Sequence, residues 1–326
     1  MSYVLAGLVF WAFSATAADD VPRHVSLSEL RQSWANPADK FLTIDGVEVC
    51  YRDEGKGPAI LLIHGSSSTL RTYDAMTEIL KSRYRVIRYD SPPLGLSGPV
   101  PDSVVGKLRP SDIPARLLKH LGVERATVVG VSSGGTTGTF MAAEHPAMVE
   151  RLVVSNAPAD IVDMSKLVRG RSLAKAEDTY GLYGDPTRPK PRHYWRTYWD
   201  FYAEEPGRIS EAIIDQFFDF NRRAPEKNGT ALIGVVADQA KIIAAAKAVT
   251  APTFVLWGSA DPLLPGPAAA EVLAKRFTNA PVTMVLMPDV NHYPPIEVPA
   301  RFAAFVEAFI AGGTPLPNDR MRPVER

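Results

Sequence analysis

Gly130-Val131-Ser132-Ser133-Gly134 follows the apolar run Ala126-Thr127-Val128-Val129 and opens into a segment of small residues compatible with a helix. A serine at a sharp strand-to-helix turn sits in a strained backbone conformation, and side chains two residues before and after it would collide, so glycine is needed at both places. Gly130 and Gly134 flank Ser132 in that way. Centring the turn on Ser133 would put Val131 at the crowded position, which a β-branched residue fits badly. Ser132 is therefore the candidate nucleophile, and Ser133 a backbone N–H donor. A glycine- and serine-rich turn can also do no more than join a strand to a helix, so the partners downstream decide the reading.

Two motifs follow in chain order. Trp257-Gly258-Ser259-Ala260-Asp261-Pro262 ends the buried-strand pattern Thr253-Phe254-Val255-Leu256, and Asn291-His292-Tyr293 comes after Val282-Thr283-Met284-Val285-Leu286-Met287. Serine, then acid, then histidine is the order of the α/β-hydrolase triad. From about Ile44 to Ile310 the chain resembles that superfamily. The resemblance implies Ser132 as nucleophile, His292 as general base and then acid, and Asp261 as the residue that fixes the imidazole. Asp160 and Asp163, beyond the preceding strand, compete for the acid. Asp261 is favoured because its turn directly ends a buried strand, whereas Asn156-Ala157-Pro158 intervenes before the other two.

The buried-strand pattern Ala59-Ile60-Leu61-Leu62-Ile63 leads into His64-Gly65-Ser66, where the superfamily places its oxyanion loop. The resemblance implies Ser66 and Ser133 N–H as the two oxyanion donors, with His64 ordering the loop and moving no proton. Asp90-Ser91-Pro92-Pro93-Leu94-Gly95-Leu96-Ser97 is similar to the loop after the fourth strand, which usually carries glycine where Pro93 stands. Asp90 is read as structural. His145 closes the helix after the turn, and Pro146 explains the stop. Relatives that act on alkyl halides or epoxides use aspartate as nucleophile, whereas serine suits acyl transfer.

The fold class expected is α/β, a mostly parallel central sheet flanked by helices with an inserted helical cap. Leu42 to Arg52 reads as a hairpin turning at Asp45-Gly46 after a lead-in from Ser26 to Lys40. Strand-like runs at Ile60, Val86, Val128, Leu152, Phe254 and Met284 alternate with helical segments, the last at Arg301–Ala311. The expected division is 1–17 signal peptide, 36–158 and 250–312 core, 159–249 cap, and 313–326 polar tail. In the cap stretch Tyr194, Tyr198 and Tyr202 share one helical face, as do Trp195 and Trp199. Most of these rings pack the cap onto the sheet, and a minority lining a pocket would favour an apolar or aromatic substrate.

The apolar run Val4–Phe13 precedes Ala15-Thr16-Ala17, an A-x-A cleavage pattern that points to export. No lysine or arginine precedes the run, which leaves an uncleaved anchor as the alternative, although a span normally needs about 20 apolar residues. Lysine plus arginine number 36 and aspartate plus glutamate 36, so no net field steers the chain toward nucleic acid or an anionic surface. The expected partner is a small-molecule substrate, with no nucleic acid and no stable membrane span after cleavage. The single Cys50 can form no intramolecular disulfide. No metal-ligand spacing or glycine-rich phosphate loop is present in the sequence, so neither metal nor cofactor is expected. These readings converge on an exported serine hydrolase of a small ester or lactone. The alternatives are carbon–carbon bond hydrolysis of a diketone-like substrate, cofactor-free perhydrolysis, and a ligand-binding module with little turnover.

Overall fold

The computed structural model describes residues 22–158, 188–232, 238–264 and 266–312. The N-terminal apolar run, Asp160, Asp163 and the tail from 313 lie outside them. Eight strands form one sheet in the order β1-β2-β4-β3-β5-β6-β7-β8: β1 Lys40–Ile44, β2 Val47–Glu54, β3 Ala59–Ile63, β4 Arg85–Tyr89, β5 Ala126–Val131, β6 Val149–Ser155, β7 Thr253–Gly258 and β8 Val282–Met287. β1 and β2 form the expected hairpin, turning at Asp45 and Gly46, both with positive φ. β2 also runs antiparallel to β4, and every pairing from β4 through β8 is parallel.

The helices are α1 Leu27–Trp34, α2 Asp74–Leu80, α3 Asp112–His120, α4 Ser133–Glu144, α5 Arg192–Tyr202, α6 Glu211–Asn221, α7 Gln239–Ala248, α8 Gly266–Arg276, α9 Pro294–Glu297 and α10 Pro299–Ala311. The inner parallel strands β3, β5 and β7 are buried on both faces, which is why they read as continuous apolar runs, whereas β8 at the edge is only partly buried. Alternate residues divide between two cores. Leu61, Ile87, Val128, Leu152, Val255 and Trp257 pack with Leu117 of α3, Met141 of α4 and Leu273 of α8. Ile60, Leu62, Val86, Val129, Val153 and Leu256 face Met76 and Leu80 of α2 and Phe302 and Val306 of α10. Truncating a fully buried leucine such as Leu62 to alanine would cost about 2–5 kcal/mol.

Two elements fall in stretches whose structure the sequence reading did not specify. The lead-in before the hairpin contains α1, closed by a capping box in which the Ser26 hydroxyl accepts the Glu29 N–H and the Glu29 carboxylate accepts the Ser26 N–H. At the end of the stretch 159–249, α7 lies against α4, with Ile242 and Ala245 on Phe140. It belongs to the layer that flanks the sheet. α5 and α6 pack differently: Tyr194, Trp195, Trp199 and Phe217 join the core on the α2/α10 side. Because the strands run in register, with Ile63 opposite both Tyr89 and Gly130, their carboxyl ends share one edge, where the loops after β3, β4, β5, β6, β7 and β8 meet. Ligands of open α/β sheets bind at that edge.

Candidate active site

Ser132 stands between β5 and α4 with φ 54 and ψ −129, a conformation costly for a residue with a side chain. The flanking glycines are required for close approach. A Cβ on Gly130 would meet the Gly134 carbonyl oxygen at 2.2 Å, and one on Gly134 would meet the Ile63 oxygen at 2.1 Å. The collisions are thus with the first turn of α4 and with β3, which lets the helix begin directly against the strand ends. The Ser132 N–H donates to Ser155 O at 2.9 Å, fixing the turn to the end of β6.

The loop after β3 lies against this turn: a Cβ on Gly65 would stand 3.0 Å from Ser132 Cβ, and Ser66 Oγ donates to Ser133 Oγ at 3.0 Å. Ser133 opens α4, so its N–H is one of the donors a helix leaves without an internal partner. Among the described residues neither the Ser66 nor the Ser133 N–H donates to a protein acceptor. His64 is buried; its Nδ1 donates to Gly65 O at 2.8 Å and its Nε2 accepts the Ser91 N–H at 2.9 Å. Burial holds its pKa below the usual imidazole range, against the pull of Asp90. The ring is a neutral loop brace with both nitrogens occupied. Asp90 is structural as expected, its carboxylate accepting the N–H of Leu70 and of Leu96, each at 2.7 Å. The Pro92–Pro93 bond in the same loop is cis.

His292 and Asp261 come together across 31 residues, with Nδ1 and Oδ2 2.8 Å apart and both side chains almost wholly buried. A carboxylate only accepts, so Nδ1 carries a proton and, in the neutral ring, Nε2 is the accepting nitrogen. Asp261 Oδ1 accepts the N–H of Leu263 at 2.8 Å and of Leu264 at 3.0 Å, which orients the acid from its own turn. Among the described residues no hydrogen bond is formed by Ser132 Oγ, so the structure pairs His292 with Asp261 but does not bond the serine to the histidine.

Three residues that sequence reasoning did not single out hold this arrangement. Asn156 Nδ2 donates to Asp261 Oδ2 at 2.8 Å. Glu297 accepts the N–H of Asn291 at 3.1 Å and of Tyr293 at 3.3 Å, the residues on either side of His292, and its buried carboxyl also takes the Glu204 N–H at 3.2 Å at the end of α5. Burial raises its pKa against those hydrogen bonds and the nearby Arg208. Tyr293 OH donates to Ser66 O at 3.2 Å and lies 3.3 Å from Tyr198 OH, tying α5 to the loop after β3. Burial pushes the Tyr293 phenol up to about 12, so it remains a neutral donor at neutral pH. Tyr202 of α5 places its ring centroid 5.7 Å from that of His292. Among the described residues, no group of three or more histidine, cysteine or carboxylate side chains could hold a metal ion, and no helix is long and apolar enough to cross a membrane.

The sequence profile of the alpha/beta hydrolase fold family matches residues 58–299. Uncharacterised proteins of Mycobacterium bovis and Mycobacterium tuberculosis are 33% identical over 45% of this chain and 43% of their own, so the match spans under half their length. A 2-hydroxy-6-oxononadienedioate/2-hydroxy-6-oxononatrienedioate hydrolase of Pseudomonas is 27% identical over 68% of this chain and 74% of its own. Haloalkane dehalogenase 2 of Mycobacterium bovis is 26% identical over 78% and 89%. The solved structure of a thermophilic esterase from Thermogutta terrifontis superposes with a TM-score of 0.66 at 22% identity, covering 84% of this chain and 98% of that one, a likeness of fold.

Proposed function

Because the chain belongs to the α/β-hydrolase family, we infer that it is a serine hydrolase acting on a small ester or lactone through an acyl-enzyme. The observation that carries this is Ser132 held at φ 54 at the start of α4, at the same sheet edge as the His292–Asp261 pair. In this reading His292 Nε2 takes the hydroxyl proton as Ser132 Oγ attacks the acyl carbon. The oxyanion forms opposite the Ser66 and Ser133 N–H donors, which stabilise it without reorganising. His292 then returns the proton to the leaving alcohol, and water repeats the cycle on the acyl-enzyme. In this reading the hydrogen bond from Ser132 Oγ to His292 Nε2 forms in the substrate complex. Asp261 keeps the imidazole in the reactive tautomer and stabilises its charged form.

The cap is assigned to the segment after β6, with α5 and α6 as its described helices. Tyr202 beside His292 supports an aromatic boundary to the substrate space. Export after cleavage at Ala17 completes the reading. An aspartate-dependent alkyl transfer is disfavoured because serine stands at the turn. Likeness to the Pseudomonas hydrolase supports carbon–carbon bond hydrolysis of a diketone-like substrate as the second reading, since the same serine and histidine serve it. Assay of the purified protein against short acyl aryl esters, lactones and vinylogous diketones separates the two. A burst of aryl alcohol equal to enzyme, followed by slower turnover, supports the esterase. Turnover of diketones alone would replace it with the second reading, and saturable binding without turnover would leave a ligand-binding module.

A further inference from the structure

Asn156 follows β6 with its side chain fully buried and φ 46, in the left-handed region that asparagine enters more readily than other side-chain-bearing residues. Its amide is completely engaged. Oδ1 accepts the Gly258 N–H at 3.0 Å and the Ser155 hydroxyl at 2.9 Å, while Nδ2 donates to Asp261 Oδ2 at 2.8 Å and to Asn291 O at 3.3 Å. Only the NH₂ can face a carboxylate and a carbonyl, and only the oxygen can accept an N–H, so the orientation of the amide is fixed. One side chain therefore touches the end of β7, the acid beyond it, and the residue before His292. Asp261 Oδ2 is shared between Asn156 Nδ2 and His292 Nδ1, each at 2.8 Å. With Leu263 and Leu264 on Oδ1, four donors prevent the carboxylate from rotating.

We propose that Asn156 is a positioning residue that sets the orientation of the Asp261 carboxylate and limits the negative charge Oδ2 presents to the His292 ring. The inference rests on the serine-hydrolase reading for its effect on turnover, but not for its effect on the His292–Asp261 pair. An amide donor on Oδ2 withdraws part of the carboxylate's charge from the imidazole. Its removal leaves a more strongly accepting oxygen that is free to turn.

Two variants test this. Asn156→Gly tolerates the backbone and removes the donor; its kcat should fall by about 10²-fold, the scale of an ångström-level misplacement, and the acid limb of its pH profile should move to higher pH. Asn156→Asp keeps the shape, and a proton shared with Asp261 can stand in for the amide, because two carboxylates in contact do not both ionise readily. Its activity should approach the parent's at the acid end and fall as the shared proton leaves, a descending limb the parent lacks. The low-field Nδ1–H proton resonance of His292 should shift in both variants, whether or not ester is turned over. Folded variants with that resonance and the pH profile unchanged would overturn the proposal. A parent whose Ser132 escapes fluorophosphonate would overturn the serine-hydrolase reading instead, and the resonance would still decide the role of Asn156.

Discussion

The Ser91 backbone N–H donates to His64 Nε2 at 2.9 Å, so the loop carrying Ser66 is fastened to the loop after β4 through a neutral ring. A protonated Nε2 could no longer accept that bond. The His64 pKa is lowered in the folded protein, so its contribution to stability is present above the unfolded value of 6.5 and is lost as pH falls through the folded value. Melting temperatures measured from neutral pH downward should decline more steeply in the parent than in His64→Gln below about pH 6.5. Equal slopes would show that His64 is not what the acid attacks.

Ser132→Ala should abolish labelling by a fluorophosphonate and lower turnover by roughly 10⁶-fold, as expected when nucleophile and base act as a unit. Ser133→Ala loses a hydroxyl that accepts from Ser66 Oγ, an interaction of about 1 kcal/mol, while its N–H remains in place. Labelling that survived in the first variant and vanished in the second would move the centre of the turn by one residue.

Asp261→Asn should lower kcat by about 10⁴-fold, because an amide facing His292 Nδ1 favours the wrong tautomer. The buried pairing at 2.8 Å makes Asp261 the acid to test first. Near-normal turnover in Asp261→Asn together with loss in Asp160→Asn would reassign the role to the earlier strand end.

Ser132, Asp261 and His292 stand out as candidates in the sequence because each sits in a local pattern, a strand followed by a turn, that a few neighbouring residues define, and the structure brings two of them, Asp261 and His292, together. The need for glycine at 130 and 134 has a definite physical source in the structure, collision of any Cβ with the backbone of α4 and of β3. Asn156 and Glu297 were not legible. Asn156 meets its partners Gly258, Asp261 and Asn291, which lie 102, 105 and 135 residues away, only in the folded chain. Glu297 looks like an ordinary helix-end carboxylate until the fold buries it. The aromatic periodicity of α5 was visible, but the burial of Tyr194, Trp195 and Trp199 beside partly exposed Tyr198 and Tyr202 depends on α6 and Tyr293. α1 was readable in principle from Ser26 and Glu29, three residues apart, and from Leu27, Leu30 and Trp34 at helical spacing, a stripe of only two turns that is too short to stand out.

Glu297→Gln replaces a carboxylate that accepts the N–H groups beside His292 with a side chain that must aim one NH₂ at donors. Turnover should fall by up to about 10²-fold through displacement of the ring, and amide exchange at Asn291 and Tyr293 should accelerate while β7 and β8 stay protected. The folded pKa of Glu297 is raised, so its favourable contribution is full below the unfolded value of 4.5 and is lost as pH rises through the folded value. The stability of the parent relative to Glu297→Gln should therefore decline as pH rises from about 4.5. An advantage that grew with pH would contradict the burial-dominated reading.

The N-terminal prediction separates two segments with different work. If Ala15-Thr16-Ala17 is cleaved, the mature chain begins at Ala18 and is found outside the cytoplasm without a disulfide. Such a cut spares every described contact of the lead-in. Val25 exchanges backbone hydrogen bonds with Arg222 and Ala224 just beyond α6, and Trp34 Nε1 donates to Asp219 Oδ2 at 2.9 Å. Val25, Leu30 and Phe220 form a small buried cluster there, with Trp34 packed against it. A chain starting at Ala18 should therefore match the full-length protein in melting temperature and turnover. One starting at Asn36 removes the clamp on α6 and should melt lower, by about 2 °C for each kcal/mol lost. N-terminal sequencing of the native protein decides the export step: an intact Met1 or Ser2 in a membrane fraction would mean an anchor, and the same terminus in soluble cytoplasm would mean no export. A chain from Asn36 as stable as one from Ala18 would show that the lead-in, although ordered, does not hold α6.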